Sequence, residues 1–172
     1  MKKLNNKGIT LMALVITIIL LIILASIGTY SGIQVVKSAQ FTAFSTELKI
    51  MQTQVNKLYD EKRNGNDEYI DSLGETISSK TDVQQQANTV FTASASGITD
   101  QNGYKYFDTK TIKSLNIEGV EGEFFINIYK RSVISYKGFE YEGKTYYTLD
   151  QLPDGMYNVD YIRNNRGARK SY

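Results

Sequence analysis

The chain has 172 residues, with 20 Lys and Arg against 18 Asp and Glu, a formal charge of +2. It contains no Cys and no His, which excludes a disulfide framework, thiolate or imidazole metal sites, and every catalytic arrangement that needs either group. The near-balanced charge carries no nucleic-acid message, and the length allows one small domain beyond an N-terminal anchor.

The leader, residues 1–8 (MKKLNNKG), is short, polar and basic and ends in Gly8. Ile9 to Ile27 then reads ITLMALVITIILLIILASI, with no charge, no Gly and no Pro, and with Leu, Ile or Val at 13 of its 19 positions. At about 1.5 Å per residue a helix of this length spans about 30 Å, the hydrocarbon thickness of a bilayer. Summing about −0.3 to −0.6 kcal/mol for each Leu, Ile or Val gives an upper bound of roughly −4 to −8 kcal/mol for insertion. A soluble core helix would carry a polar stripe, and here only Thr10, Thr17 and Ser26 are polar. A secretory signal has a shorter apolar core and a small-residue cleavage site, of which Leu24-Ala25-Ser26 is the one hint. The sequence therefore predicts a retained, single-pass membrane helix over 9–28. Lys2, Lys3 and Lys7 hold the N-terminus on the cytoplasmic side, and everything after residue 30 is expected outside.

Lys7-Gly8, the hydroxyl residue Thr10, Leu11 and the unbroken apolar run together resemble the class III signal of prepilins, the superfamily of type IV pilins and type II secretion pseudopilins. The resemblance covers about twenty residues at the N-terminus, and the rest of the chain is similar in general plan only. It implies that a prepilin peptidase cuts between Gly8 and Ile9 and methylates the new amine of Ile9. The helix stays on the mature protein, with Leu11, Ala13, Leu14, Ile18 and Leu21 in the membrane and later in a filament core. Loss of the three leader lysines would leave 17 basic against 18 acidic residues, a charge of −1. Three positions depart from the family pattern. Ile9 stands where Phe is usual, Ala13 where Glu is usual, and Tyr30 where a helix-bending Pro is common. That Glu is thought to neutralise the amine of a neighbouring subunit, and a charge at such depth is costly unless paired. Ala13 accordingly points to a minor or tip component rather than the bulk subunit.

Beyond the membrane segment the helix is expected to continue through 29–63. Phe41, Phe44, Leu48, Met51, Val55 and Leu58 recur at intervals of three and four, the seam of an amphipathic helix, with Glu47, Lys49, Gln52, Gln54, Asn56 and Lys57 between them. Gly28 and Gly32 form either a helix-packing pair or a flexible joint. The turn formers Asn64-Gly65-Asn66-Asp67 end the helix. Residues 64–118 read as a polar connecting region with short helical pieces around Glu68 to Ile77 and Val83 to Phe91.

Residues 119–172 read as the sheet of a head domain followed by a basic tail. Glu123 to Tyr129, Val133 to Tyr136, Phe139 to Tyr141 and Thr145 to Leu149 are rich in aromatic and β-branched residues and are separated by turns. An antiparallel meander with one wet face needs a cover on the other, and the 41–58 seam supplies it. The fold class is thus α+β: a long N-terminal hydrophobic spine helix and a C-terminal antiparallel β-meander, the pilin-like plan.

Chemistry is sparse. There is no Gly-rich phosphate loop, and no Ser–Lys pair stands out, so no enzyme activity and no cofactor are expected. Asp150, Asp154 and Asp160 match no Ca²⁺-loop spacing, and acids around a Pro-Asp-Gly turn serve the turn; no metal is expected. Ten of the 13 tyrosines lie between Tyr104 and Tyr172, as sheet filling or as a binding face. The tail from Tyr161 to Lys170 carries four positive charges and no acid, a weak pointer to an anionic polymer; nucleic acid is not an expected partner. The expected partners are the prepilin peptidase, other pilin-like subunits and the membrane. The expected location is the membrane and then a cell-surface filament. The expected role is a structural subunit of a type IV pilus, a type II secretion system or a DNA-uptake filament. The alternative is a single-pass, signal-anchored surface protein with a small ligand- or cell-wall-binding head.

Overall fold

The computed structural model describes the backbone of residues 6–153, and the side chains of all of these except 6–12, 24–32 and 34. The chain divides into two compact units, Met1–Gln40 and Phe41–Tyr172. The class is α+β: helices combined with antiparallel sheet.

Helix α1 runs Asn6–Arg63, 58 residues, and its end follows from local chemistry. Lys62 and Arg63 sit in the last turn, where the helix dipole favours cations. Gly65 follows with φ +102°, and its N–H donates to Lys62 O at 3.1 Å, the left-handed stop that only glycine takes without strain. Short helix α2, Asp67–Ser72, follows, with two acids in its first turn.

In the second unit the predicted seam is buried as expected. Phe41, Leu48, Met51, Val55 and Leu58 are buried, and Phe44 packs partly buried beside them. The seam meets one face of a four-stranded antiparallel sheet, ordered β1-β2-β3-β4. Its strands are β1 (Glu75–Thr76), β2 (Lys105–Phe107), β3 (Phe124–Asn127) and β4 (Ser132–Ser135). Alternation assigns the faces: Phe107, Phe124, Ile126 and Val133 join the α1 core. Tyr106, Phe125 and Ile134, which pair across the strands, join a second core on the opposite face.

That opposite face was expected to be wet, and the structure corrects this. Helix α3, Thr81–Val90, lays Val83, Ala87 and Val90 over it, and Phe91 closes the end against Tyr104 and Phe125. Gln86 Nε2 donates to Tyr136 O at 2.7 Å, fixing α3 to the end of β4. Burial of the Tyr106 ring, with its hydroxyl bonded to Glu123, pushes that hydroxyl well above the usual tyrosine range. The stretch read as a polar connector therefore contributes two strands, a covering helix and α4, Thr109–Ser114. Asp108 caps α4, accepting from Thr111 N at 2.8 Å, and this bond holds its carboxyl below the usual range.

The meander is also not one sheet. β5 (Phe139–Tyr141) and β6 (Lys144–Tyr146) form a separate two-stranded ribbon, joined to β4 where Ser135 N donates to Tyr147 O at 2.8 Å. Lys137-Gly138 breaks the run between the two sheets. The ribbon turns at Glu142 and Gly143, both with positive φ, the twist a tight hairpin requires. It packs through rings: Tyr141 stacks on Phe41 at 4.4 Å, and Phe139 lies 5.4 Å from Phe44.

Two predictions follow from this packing. Gly74 has φ +73°, and an added Cβ would lie 2.7 Å from Phe107 Cε2 and 3.0 Å from Tyr106 O. Gly74→Ala is expected to destabilise the second unit by about 1–3 kcal/mol in denaturant titration, from strain and overpacking together. Glu47 on α1 accepts from Gly122 N at 3.3 Å, and burial raises its carboxyl above the usual value of 4.5 despite that bond. A raised folded-state value means its stabilising contribution is present below that usual value and lost as pH rises through the folded one. Glu47→Gln is therefore expected to melt higher than wild type at pH 7, with the gap closing at about pH 4. A lower melting point at pH 7 would show that the backbone bonds to the carboxylate outweigh its desolvation.

Candidate functional site

The candidate site is the apolar stretch of α1 in the first unit. Its described side chains run from Ala13 to Ile23, and every one is exposed. Leu14 is 60% exposed, Ile18 48% and Leu21 65%, and the exposed large apolar side chains include Val15, Ile16, Ile19, Leu20, Ile22 and Ile23. At 100° per residue such a run covers the whole circumference of the helix, so there is no polar face to turn towards water. The single polar side chain among them, Thr17, donates its hydroxyl to Leu14 O at 2.8 Å and so needs no partner outside the helix.

Of the residues singled out by sequence, Gly8, Ile9 and Leu11 fall within the backbone of α1, and their side chains lie outside the described residues. Ala13 is exposed among the same apolar surface as Leu14, Ile18 and Leu21, with no carboxylate on that stretch. Among the described residues no helix is long and apolar enough to cross a membrane. The long apolar spine expected over 9–28 is accordingly not found in full, and Ala13–Ile23 is the part of it whose side chains are described. Exposed apolar surface resumes at Ile33, Val35 and Val36, which the sequence reading passed over. The Val35-Val36 pair directly before Lys37 was the available signal.

The weaker candidates stay dispersed. Asp150 is exposed in the 3-10 turn Leu149–Gln151, whereas Asp154, Asp160 and the basic tail from Tyr161 to Lys170 lie outside the described residues. Among the described residues no three acids gather as a metal site would require. The tyrosines divide: Tyr104, Tyr106 and Tyr146 are buried in the cores, and Tyr129 is exposed with Lys62 Nζ 4.3 Å from its ring centre. Lys62 itself is only 9% exposed, held by Asp71 at 2.5 Å and Asp67 at 3.6 Å, and the bond to Asp71 pushes its ammonium above the usual lysine range. This cluster ties the end of α1 to α2, a structural task.

No family model, no curated protein and no solved structure significantly matches the chain.

An apolar helix surface closed all round is stable only when lipid or other apolar helices cover it. Ile18→Asp sets a carboxylate in its middle, at a cost of about 2.5–3.5 kcal/mol if that point lies at a bilayer centre. If lipid covers this stretch, the variant is expected to be lost from the membrane fraction of its cells, while an exposed charge reversal on the second unit, Lys144→Glu, stays where wild type is found.

Proposed function

We propose that the protein is a pilin-like or pseudopilin-like structural subunit, a minor or tip component of a type IV pilus, type II secretion or DNA-uptake type of filament. The observation that carries this reading is the order Lys7-Gly8-Ile9-Thr10-Leu11 immediately before an uncharged apolar run. A plain signal-anchor has no use for that order. Two further features support it. The described part of the run is apolar on every side. In the second unit, the 41–58 part of the same helix serves as the cover of an antiparallel sheet.

In this mechanism the leader and the first unit act in sequence. The leader lysines orient the chain with its N-terminus in the cytoplasm, and the peptidase then severs the Gly8–Ile9 peptide bond. Ile9 becomes the N-terminus of a helix that remains in the bilayer. Leu11, Ala13, Leu14, Ile18 and Leu21 then exchange lipid for the apolar helices of other subunits as the filament forms. Dispersion and close packing drive that exchange, because lipid tails are as apolar as Leu. Ala13 supplies no carboxylate to a neighbour's amine, which suits a subunit that starts or ends a filament. No catalytic residue and no cofactor enter this mechanism.

The test is intact mass and N-terminal sequencing of the full protein recovered from its own cell membranes. A chain beginning at Ile9, with or without one added methyl group, is the expected result. Gly8→Leu should then yield a chain that begins at Met1. A wild-type chain beginning at Met1 would overturn prepilin processing and leave a signal-anchored surface protein. A start beyond Ala25 would mean that the helix is discarded and the head secreted.

A further inference from the structure

We infer that the second unit carries a small binding site for a neutral saccharide, in a cavity bounded by α1, α2 and the turn after α4. This goes beyond the assembly reading and does not depend on it, because all of its residues lie in the second unit.

Among the described residues of that unit, the exposed large apolar side chains are Tyr69 and Tyr129. Tyr129 is accounted for by the Lys62 ammonium over its ring. Tyr69, 54% exposed on α2, has no hydrogen-bond or ring partner for its side chain among the described residues, and it lines a cavity of about 180 Å³. The polar part of the lining is Gln54, Lys57, Glu61, Ser114 and Asn116. The amides of Gln54 and Asn116 make no side-chain hydrogen bond to described residues, so each offers a donor and an acceptor. Asn116 is held at φ +53°, a left-handed conformation that asparagine tolerates better than most residues. Ser114 donates its hydroxyl to Thr111 O at 2.7 Å and keeps its acceptor side free.

These groups select a ligand class. A tyrosine ring in the lining supplies apolar surface on which a sugar's C–H groups can pack, and amides with paired donors and acceptors match adjacent hydroxyls. Lys57 and Glu61 lie 3.8 Å apart and cancel each other, so the site favours a ligand without net charge. The cavity is well below the roughly 300–1,000 Å³ of pockets for drug-sized molecules and has room for one ring. Its walls are helices and a turn rather than a strand edge or a long apolar groove, which disfavours an extended peptide.

The experiment is saturation-transfer NMR with the full chain in a detergent whose headgroup is not a sugar, such as a dimethylamine oxide. The probes are methyl β-glucoside and N-acetylglucosamine, with glucuronate as the charged comparison. Saturation of a neutral sugar's ring protons is expected, with affinity about millimolar as befits so few atoms. The signal should vanish in Tyr69→Ala, fall in Asn116→Ala and persist in Tyr69→Phe, all with wild-type circular dichroism. Three results would overturn the inference: no transfer to either neutral sugar, equal transfer in wild type and Tyr69→Ala, or stronger transfer to glucuronate.

Discussion

The second unit depends on one contact, the apolar seam of α1 lying along the sheet. Phe41, Leu48, Met51, Val55 and Leu58 bury against Phe107, Phe124, Ile126 and Val133. Four of these positions are aromatic rings or sulfur-bearing side chains with large area, and burial of each such side chain removes about 1.5–3 kcal/mol worth of apolar surface from water. Everything else is arranged around that contact. The ribbon β5–β6 stacks Tyr141 and Phe139 against the seam's first turn, and α2 folds back through Lys62 at its last. The seam also carries polar fasteners at its flanks. Gln52 Nε2 donates to Arg131 O at 2.9 Å and Glu47 accepts from Gly122, so the register of helix on sheet is set by hydrogen bonds as well as by area.

What could be read from the sequence was what has a period. The spacing of Phe41 to Leu58 foretold both the helix and the face it buries, and Asn64-Gly65 foretold where it stops. Strands β3 to β6 were legible because β-branched and aromatic residues crowd between turn formers. Strands β1 and β2 were not, for a physical reason. Two or three residues such as Glu75–Thr76 and Lys105–Phe107 are too short to show alternation, and each owes its existence to a partner far along the chain. The cover of the second face was hidden differently. A short helical piece was expected at Val83 to Phe91 and α3 is found there, but it buries only Val83, Ala87 and Val90, and its Gln-rich outer side hid that it covers a sheet.

The candidate site shows the opposite balance. Its signal lies in composition and order, Gly8 before Ile9 and an apolar run after it, which no packing contact is needed to reveal. The described side chains add one thing the sequence alone does not: Thr17 satisfies its hydroxyl within the helix, so nothing on 13–23 calls for water. The extra apolar group Ile33, Val35 and Val36 extends the same character towards the second unit's first residues.

One helix thus carries two apolar patterns, and the sequence separates them cleanly. From 13 to 23, where the side chains are described, apolar residues occupy all sides of the helix with Thr17 the single polar one, a pattern that favours an apolar cover over water. From 41 to 58 they occupy one stripe, with Thr46, Thr53 and Lys57 exposed between them. The cores of the second unit draw on residues from Phe41 to Leu152 and on none of the described side chains of the apolar run. On the proposed reading, substitutions in 9–27 act on where the chain is held and with what it assembles, whereas substitutions in the seam act on whether the second unit folds. Under that proposal, the anchoring stretch and the surface around Tyr69 can each change without redesign of the other, because the buried cores of the second unit include neither Tyr69 nor the described side chains of that stretch.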